Sequence, residues 1–422
     1  MSRADHRRLG DYIREVDVRN RNLDITNLIG LSIQKMFIPS ISNTIGTDMS
    51  TYRVIKQNQF AYCPVTSRNG EKITVALYDK KDTAIISQAY NVFEIADIEN
   101  LLPQYLMIWF RRPEFDRYAR FKSHGSVREM FDWEEMCNVE LPIPSIKEQY
   151  EIVAEYNTVQ KRIDLNNQLI QKLEETAQAI YKQWFVDFEF PDENGKPYKS
   201  NGGEMVESEM GEIPKCWKVG TLEELKLSTL GGDWGKESAV DNYSKEVFCI
   251  RGTDIPLASI GQRGNLPTRF ILAKNLASRK LEPFDIVTEI SGGSPIQSTG
   301  RSVLLTGDYL EYLDKNIICS NFCRIIKAKK NYAVFLYSTI VDLYKSNILF
   351  TYENSSNGVK NLAIEDLFRE KIIVIPDTVI LNEFNTTFLK SYEYIMKLGR
   401  ENEKIMELKD LLFSKLSTIE NK

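Results

Sequence analysis

The most constraining feature of this chain is that part of it is written twice. Leu141-Pro142-Ile143-Pro144 falls on Ile373-Val374-Ile375-Pro376 at an offset of 232 positions, from Pro144 to Pro376. Upstream, Ser126-Val127-Arg128-Glu129-Met130 falls on Gly358-Val359-Lys360-Asn361-Leu362. Downstream, Lys172-Leu173 meets Lys404-Ile405, and Ile180-Tyr181 meets Leu412-Phe413. A weaker echo at another offset lays Leu9-Gly10 over Val219-Gly220. A chain of 422 residues already argues against one core, since domains run to roughly 100–200 residues.

Each copy of the Pro-containing extended segment leads into a long helical pattern. In the first, Tyr156, Val159, Ile163, Asn166, Ile170, Leu173, Ala177, Ile180 and Trp184 alternate three and four apart, which is a heptad seam. The offset gives Phe388, Ser391, Ile395, Leu398, Asn402, Ile405, Lys409, Leu412 and Leu416 in the second, a poorer seam that is still mostly apolar. Each has one asparagine in it, of the kind that fixes register at some cost in stability. The reading is an antiparallel coiled coil of two helices with about 35–40 residues apiece, a rod of roughly 50–60 Å. The alternative is that each helix is a core element of its own domain.

Before the first helix and between the two lie mixed regions of similar size. Lys72 to Tyr78 and Phe322 to Ile326 are β-branched or aromatic runs that predict strands. Leu102 to Phe121 and Tyr332 to Ser346 predict helices, so both regions are α+β. Turn formers and acids crowd Pro191 to Gly203. The expected fold class is therefore α+β with a pseudo-two-fold internal repeat: a first globule 1–142, a spacer helix 143–190, a linker 191–213, a second globule 214–374 and a second spacer helix 375–422.

Several chemistries are argued against by count. The chain has two histidines, His6 and His124, too few for a His-rich metal site or a multi-histidine catalytic apparatus. Six cysteines are scattered, and the close pair Cys319 and Cys323 has no second pair to complete a tetrahedral zinc site. No run reaches the ~18–20 apolar residues of a membrane span, and the first residues contain no apolar signal core. The expected location is the reducing cytoplasm. Gly231-Gly232-Asp233-Trp234-Gly235-Lys236-Glu237 imitates a phosphate loop, but Glu237 stands where Ser or Thr should ligate magnesium. The acids near Pro191 bunch in one turn-prone run, where separate strands cannot hold them around an ion. No Asn/Asp-Pro-Pro-Tyr/Phe motif is present for methyl transfer to an extrahelical adenine. Neither a metal nor a catalytic residue is expected.

Leu141-Pro142-Ile143-Pro144-Ser145-Ile146-Lys147-Glu148-Gln149 resembles the proline to Glu-Gln entry into the first conserved helix of the specificity subunits of type I restriction-modification enzymes. Gly211-Glu212-Ile213-Pro214-Lys215-Cys216-Trp217-Lys218-Val219 is similar to the stretch that opens their second recognition domain. The second copy departs from the pattern, with Leu381 where the first has Gln149. The resemblance implies a non-catalytic chain whose two target-recognition domains, separated by two conserved helices, each read half of a bipartite site on double-stranded DNA. It also implies docking to two methyltransferase subunits, and to restriction or translocase subunits in a full complex. S-adenosylmethionine, ATP and magnesium would then belong to those partners, with no cofactor in this chain. The other readings are a coiled-coil adaptor without a DNA role and a self-contained modification enzyme.

The net charge of −5 speaks against a nucleic-acid binder, because neutralising the phosphate backbone normally dominates such affinity. Charge is unevenly placed, however, with Arg111, Arg112, Arg117, Arg120, Lys122 and Arg128 in one stretch. Base readers are expected on loops that carry Arg, Lys, Asn or Gln. In the first globule the candidates are Ser67, Arg68, Asn69 and Lys72, with a plain Asn-Gly hairpin turn as the alternative. In the second they are Ser294, Gln297, Ser298, Thr299 and Arg301. The duplicated pairs Ser126 with Arg128 and Gly358 with Lys360 are candidates for phosphate contact, a small residue beside one positive charge.

Overall fold

The computed structural model describes residues 6–40, 46–67, 70, 72–125, 129–292, 297–329, 331–356 and 359–419. The chain divides into two compact units, one of residues 1–162 with 406–422 and the other of residues 163–405. Both divisions fall inside the long helices Ile146–Phe185 and Thr378–Ile419.

In the first unit an antiparallel sheet runs in the order Ile13–Val16, Asn91–Ile95, Gln59–Tyr62, Val75–Leu77. Gln59–Tyr62 is buried along its whole length, as suits the interior strand of a covered sheet. Phe60 and Phe93 stack at 4.9 Å across two strands, and Phe110 meets both edge-on. The helix expected over Leu102 to Phe121 is two helices, Pro103–Phe110 and Pro113–Lys122. Pro113 is the cause: it has no N–H to continue the first helix, and it holds Arg112 extended at φ −68, ψ 140.

The second unit has a four-stranded antiparallel sheet in the order Lys226–Gly231, Cys323–Ala328, Ile286–Glu289, Ser302–Leu304. A three-stranded sheet centres on Tyr243–Ile250, antiparallel to Thr268–Leu272 and parallel to Ile317–Cys319. The helix Ala333–Lys345 lies on the core with Val334, Phe335, Leu336 and Ile340 buried. Met205–Ser208 and Gly211–Pro214 form an antiparallel hairpin that pairs Met205 with Pro214, and Phe190 stacks on Tyr198 and Trp217 at 4.5 and 4.8 Å.

The sequence repeat has a structural counterpart inside each unit. His6–Arg8 pairs antiparallel with Glu140–Pro142, setting Arg7 opposite Leu141. Lys218–Thr221 pairs the same way with Ile372–Ile375, setting Gly220 opposite Ile373. A 3-10 turn follows each leading strand, opening on the fully buried Leu9 or Leu222. Leu9 therefore corresponds to Leu222, and the echo of Leu9-Gly10 in Val219-Gly220 is three positions out of register. Ladder pairing, not residue likeness, sets that alignment.

The long helices run antiparallel within each unit. In the first, Lys409 donates to Gln160 Oε1 at 2.6 Å, and the Tyr156 and Phe413 rings lie 6.0 Å apart. In the second, Ile170, Ile395 and Leu398 form a buried cluster with Leu169 and Leu173 beside it. Every position from Tyr156 to Trp184 in the expected seam is buried or half-buried, and so is every one from Phe388 to Leu412. The side chain of Leu416 lies outside the described residues. Ser145 and Glu148 open the first helix as a reciprocal cap, with the Ser145 N–H and hydroxyl donating to Glu148.

Candidate nucleic-acid interface

In the first unit the fold brings together the two loops singled out in its sequence. The Thr66 N–H donates to the Glu129 carbonyl at 3.0 Å, its hydroxyl donates to Ser123 Oγ at 2.9 Å, and Val65 bridges Met130. The segment carrying Ser67 and Lys72 thus lies beside the bridged pair His124 and Met130, and both side chains are exposed. Arg68, Asn69, Ser126 and Arg128 lie outside the described residues. Behind this loop the Ile73 N–H donates to Asp116, which is paired with the buried Lys35 at 2.8 Å. Burial lowers the Lys35 pKa against the opposing effect of the Asp116 bond.

The second unit repeats the juxtaposition. Ser291–Gly292 pairs with Val359–Leu362, which sets Gly292 opposite Lys360. Thr299 donates its N–H and its hydroxyl to Glu353, at 2.6 and 2.9 Å. Lys360 Nζ lies 3.3 Å from the same carboxylate, 3.4 Å from the Gln297 carbonyl, and 4.2 Å above the Phe350 ring. Ser298 and Thr299 are buried. Thr299 and Lys360 therefore hold the loop to its neighbour, and Ser298 is buried with its hydroxyl donating to the Thr299 carbonyl, whereas Gln297 is exposed and Arg301 faces a cleft. Ser294 and Gly358 lie outside the described residues.

That cleft, of about 710 Å³, is lined by Gln297 and Arg301 together with Trp234, Arg251, Asn321 and Phe322. Sequence reasoning missed the last four as a group because they come from three separate strand ends. The signals were present: Arg251-Gly252 follows directly on the strand Tyr243–Ile250, and Asn321-Phe322 forms a two-residue turn. Phe322 stays 61% exposed, with its carbonyl fixed by the N–H groups of Ile290 and Ser291. Trp234 is held by Arg269, whose Nε donates to its carbonyl at 2.8 Å and whose guanidinium lies 4.2 Å over its ring.

Both arginines of the cleft are clamped by buried acids. Arg301 donates from Nε and Nη2 to the two oxygens of Glu289, at 2.8 and 2.7 Å, and this pairing raises its pKa. Arg251 does the same toward Asp254, at 2.8 Å for each bond, and its Nη2 also reaches the Asn265 carbonyl at 3.3 Å. The cleft therefore holds oriented donors with little net positive charge. Such an arrangement suits direct hydrogen bonding to a polar edge better than attraction of a phosphate chain.

Gln149, where the two halves differ, has a structural role. Its side chain is fully buried, accepts from the Leu102 N–H at 2.9 Å, and donates to the carbonyls of Asn100 and Pro144. In the second half Leu381 is also fully buried, in an apolar cluster. The turn Pro191 to Pro197 is closed by Asp192, which accepts from the N–H groups of Asn194 and Lys196. Among the described residues no acidic, His or Cys cluster could hold a metal ion, and no helix is long and apolar enough to cross a membrane.

Residues 12–175 match the family model described as type I restriction modification DNA specificity domain. The type I restriction enzyme MjaIX specificity subunit of Methanocaldococcus jannaschii is 23% identical over 332 residues, covering 75% of this chain and 69% of that protein. The HindI specificity subunit of Haemophilus influenzae is 26% identical over 188 residues, 43% of this chain and 40% of that one. In fold, the chain matches the crystal structure of a type I restriction-modification S subunit from M. genitalium. That match has a TM-score of 0.54 at 13% identity and covers 97% and 95% of the two chains.

Proposed function

We infer the function of this chain from its family: it belongs to the type I restriction-modification specificity subunits, and it is the part of such a system that chooses the DNA sequence. One observation carries the reading beyond family likeness. In each unit the fold lays a segment from the middle of the globule against residues shortly before the repeated extended segment, Thr66 on Glu129 in the first and Gly292 opposite Lys360 in the second. Two similar but unequal surfaces of this kind suit two unequal half-sites of one duplex. The chain itself carries out no chemistry. It docks two methyltransferase subunits, and restriction or translocase subunits join in the complete assembly. S-adenosylmethionine, ATP and magnesium are held by those partners, in the cytoplasm where the DNA is.

The charge pattern fits this division of labour. A chain of net charge −5 whose cleft arginines are already neutralised binds DNA weakly alone, and its partners supply most of the phosphate contacts. The adaptor reading gives no reason for clamped arginines in an open cleft.

The test is exchange. Replacing residues 1–142 with the corresponding segment of a relative, in cells that carry the methyltransferase subunits, should change one half of the methylated site and leave the other. If both halves changed, or neither did, one globule would not be reading one half-site.

A further inference from the structure

Arg301 enters its cleft with one edge used and one edge open. The side-on edge, Nε with Nη2, is bound to Glu289, whose side chain is only 4% exposed. The end-on edge, Nη1 with the second hydrogen of Nη2, has no partner among the described residues, and the side chain is 21% exposed. Arg251 differs, because Asp254 and the Asn265 carbonyl both draw on its Nη2.

The clamp is built into the backbone around it. A Cβ on Gly252 would sit 2.4 Å from Glu289 Oε1, and one on Gly292 would sit 3.1 Å from it. Gly292 also has φ +139, a conformation that L side chains rarely adopt. Two glycines thus leave room for the carboxylate, and the carboxylate fixes the plane of the guanidinium. An arginine held this way has little side-chain entropy left to lose when it binds.

We propose that Arg301 reads a guanine, through its open end-on edge, in the half-site addressed by the second globule. The inference rests on the DNA-reading function argued above and adds which residue reads and which base. Two parallel N–H donors match guanine N7 and O6, the two adjacent acceptors that edge presents in the major groove. Adenine offers one acceptor beside a donor, cytosine a donor, and thymine a single acceptor with a methyl group. A phosphate would gain less, since the Arg301–Glu289 pair is neutral and releases few counterions. Glu289 acts as a positioning residue.

The experiment maps methylated sites in cells carrying the full system with the wild-type chain, Arg301→Gln, Arg301→Lys or Glu289→Gln. The half-site that survives exchange of residues 1–142 is the one assigned to the second globule. In the wild type it should contain a G·C pair. Both Arg301 variants should lose discrimination at that one pair by roughly 5- to 150-fold, the value of one bidentate contact. Arg301→Lys keeps the charge but not the fork, so equal loss in both variants identifies the fork as the reader. Glu289→Gln should relax the same pair and no other. A second half-site without any G·C pair would overturn the proposal without any variant, as would Arg301→Lys methylating the unchanged site. Equal weakening on every sequence would make Arg301 a phosphate contact instead. In each of those cases an intact bipartite wild-type site would leave the DNA-reading function standing, and its absence would remove that function as well.

Discussion

Asn166 donates from Nδ2 to Asn402 Oδ1 at 2.9 Å, and Asn402 passes its own Nδ2 to Asn167 Oδ1 at 2.8 Å. The asparagines of the two seams are therefore partners, 2% and 1% exposed. Buried amides bonded across the two helices in this way favour one antiparallel register, because a one-turn slip would break both bonds and leave polar groups in an apolar groove.

Replacing Asn166 alone with Ala should lower unfolding stability by about 1–3 kcal/mol, the cost of leaving the Asn402 oxygen buried without a donor. The double change Asn166→Leu with Asn402→Leu should recover that loss or exceed it, since no buried amide remains. Denaturant midpoints of the three proteins measure this. A double variant less stable than either single one would show that the pair contributes more than register.

Gln149→Leu gives the first half the residue that the second half carries. It removes three hydrogen bonds and leaves the Leu102 N–H buried at the start of the helix Pro103–Phe110. The expected loss is about 1–3 kcal/mol, concentrated locally. Amide exchange at Leu102 should accelerate far more than exchange within the sheet. The reverse change, Leu381→Gln, should also destabilise, because that position lies in an apolar cluster.

Lys35→Met should cost about 1–3 kcal/mol, because the half-buried Asp116 keeps the Ile73 N–H donor but loses its cation. Adding Asp116→Leu should restore much of this, and a double-mutant cycle on midpoints gives the coupling. The pH dependence has a definite sign. Burial depresses the folded pKa of Lys35, so the native chain binds fewer protons than the unfolded one between the two values. The contribution of Lys35 is fully present above the unfolded value and is lost as pH falls through the folded one. Relative to Lys35→Met, the native chain should therefore gain stability as pH rises toward the ordinary lysine range.

Gly399→Ala sets two effects against each other. Ala favours a helix by about 1 kcal/mol over Gly. A Cβ at this position, however, would stand 1.7 Å from the Ile260 carbonyl oxygen, a backbone atom with no rotamer to change. The contact is anchored by Gln262 donating to the Gly399 carbonyl and by Glu403 accepting from the N–H groups of Arg263 and Gly264. The clash should win, with a net loss of about 1–3 kcal/mol. A rise in melting temperature would show that the 260–264 loop can move away at little cost.

The sequence by itself determined the repeat, the α+β class and the seam from Tyr156 to Trp184, because these depend on period, and period is a local property of the chain. It also marked the loops around Ser67 and Arg301, through their turn-forming composition. Only the tertiary structure decided what each loop residue does. Thr299 and Lys360 read as exposed polar contacts, yet both are drawn onto Glu353, and the acids beside Arg301 and Lys35 come from 12 and 81 positions away. Nor could spacing mark the cleft, since Trp234, Arg251 and Phe322 meet only after separate strands have paired. The physical reason is that strand register and ion pairing are long-range choices: they are made by burial, which brings together residues that the sequence leaves far apart.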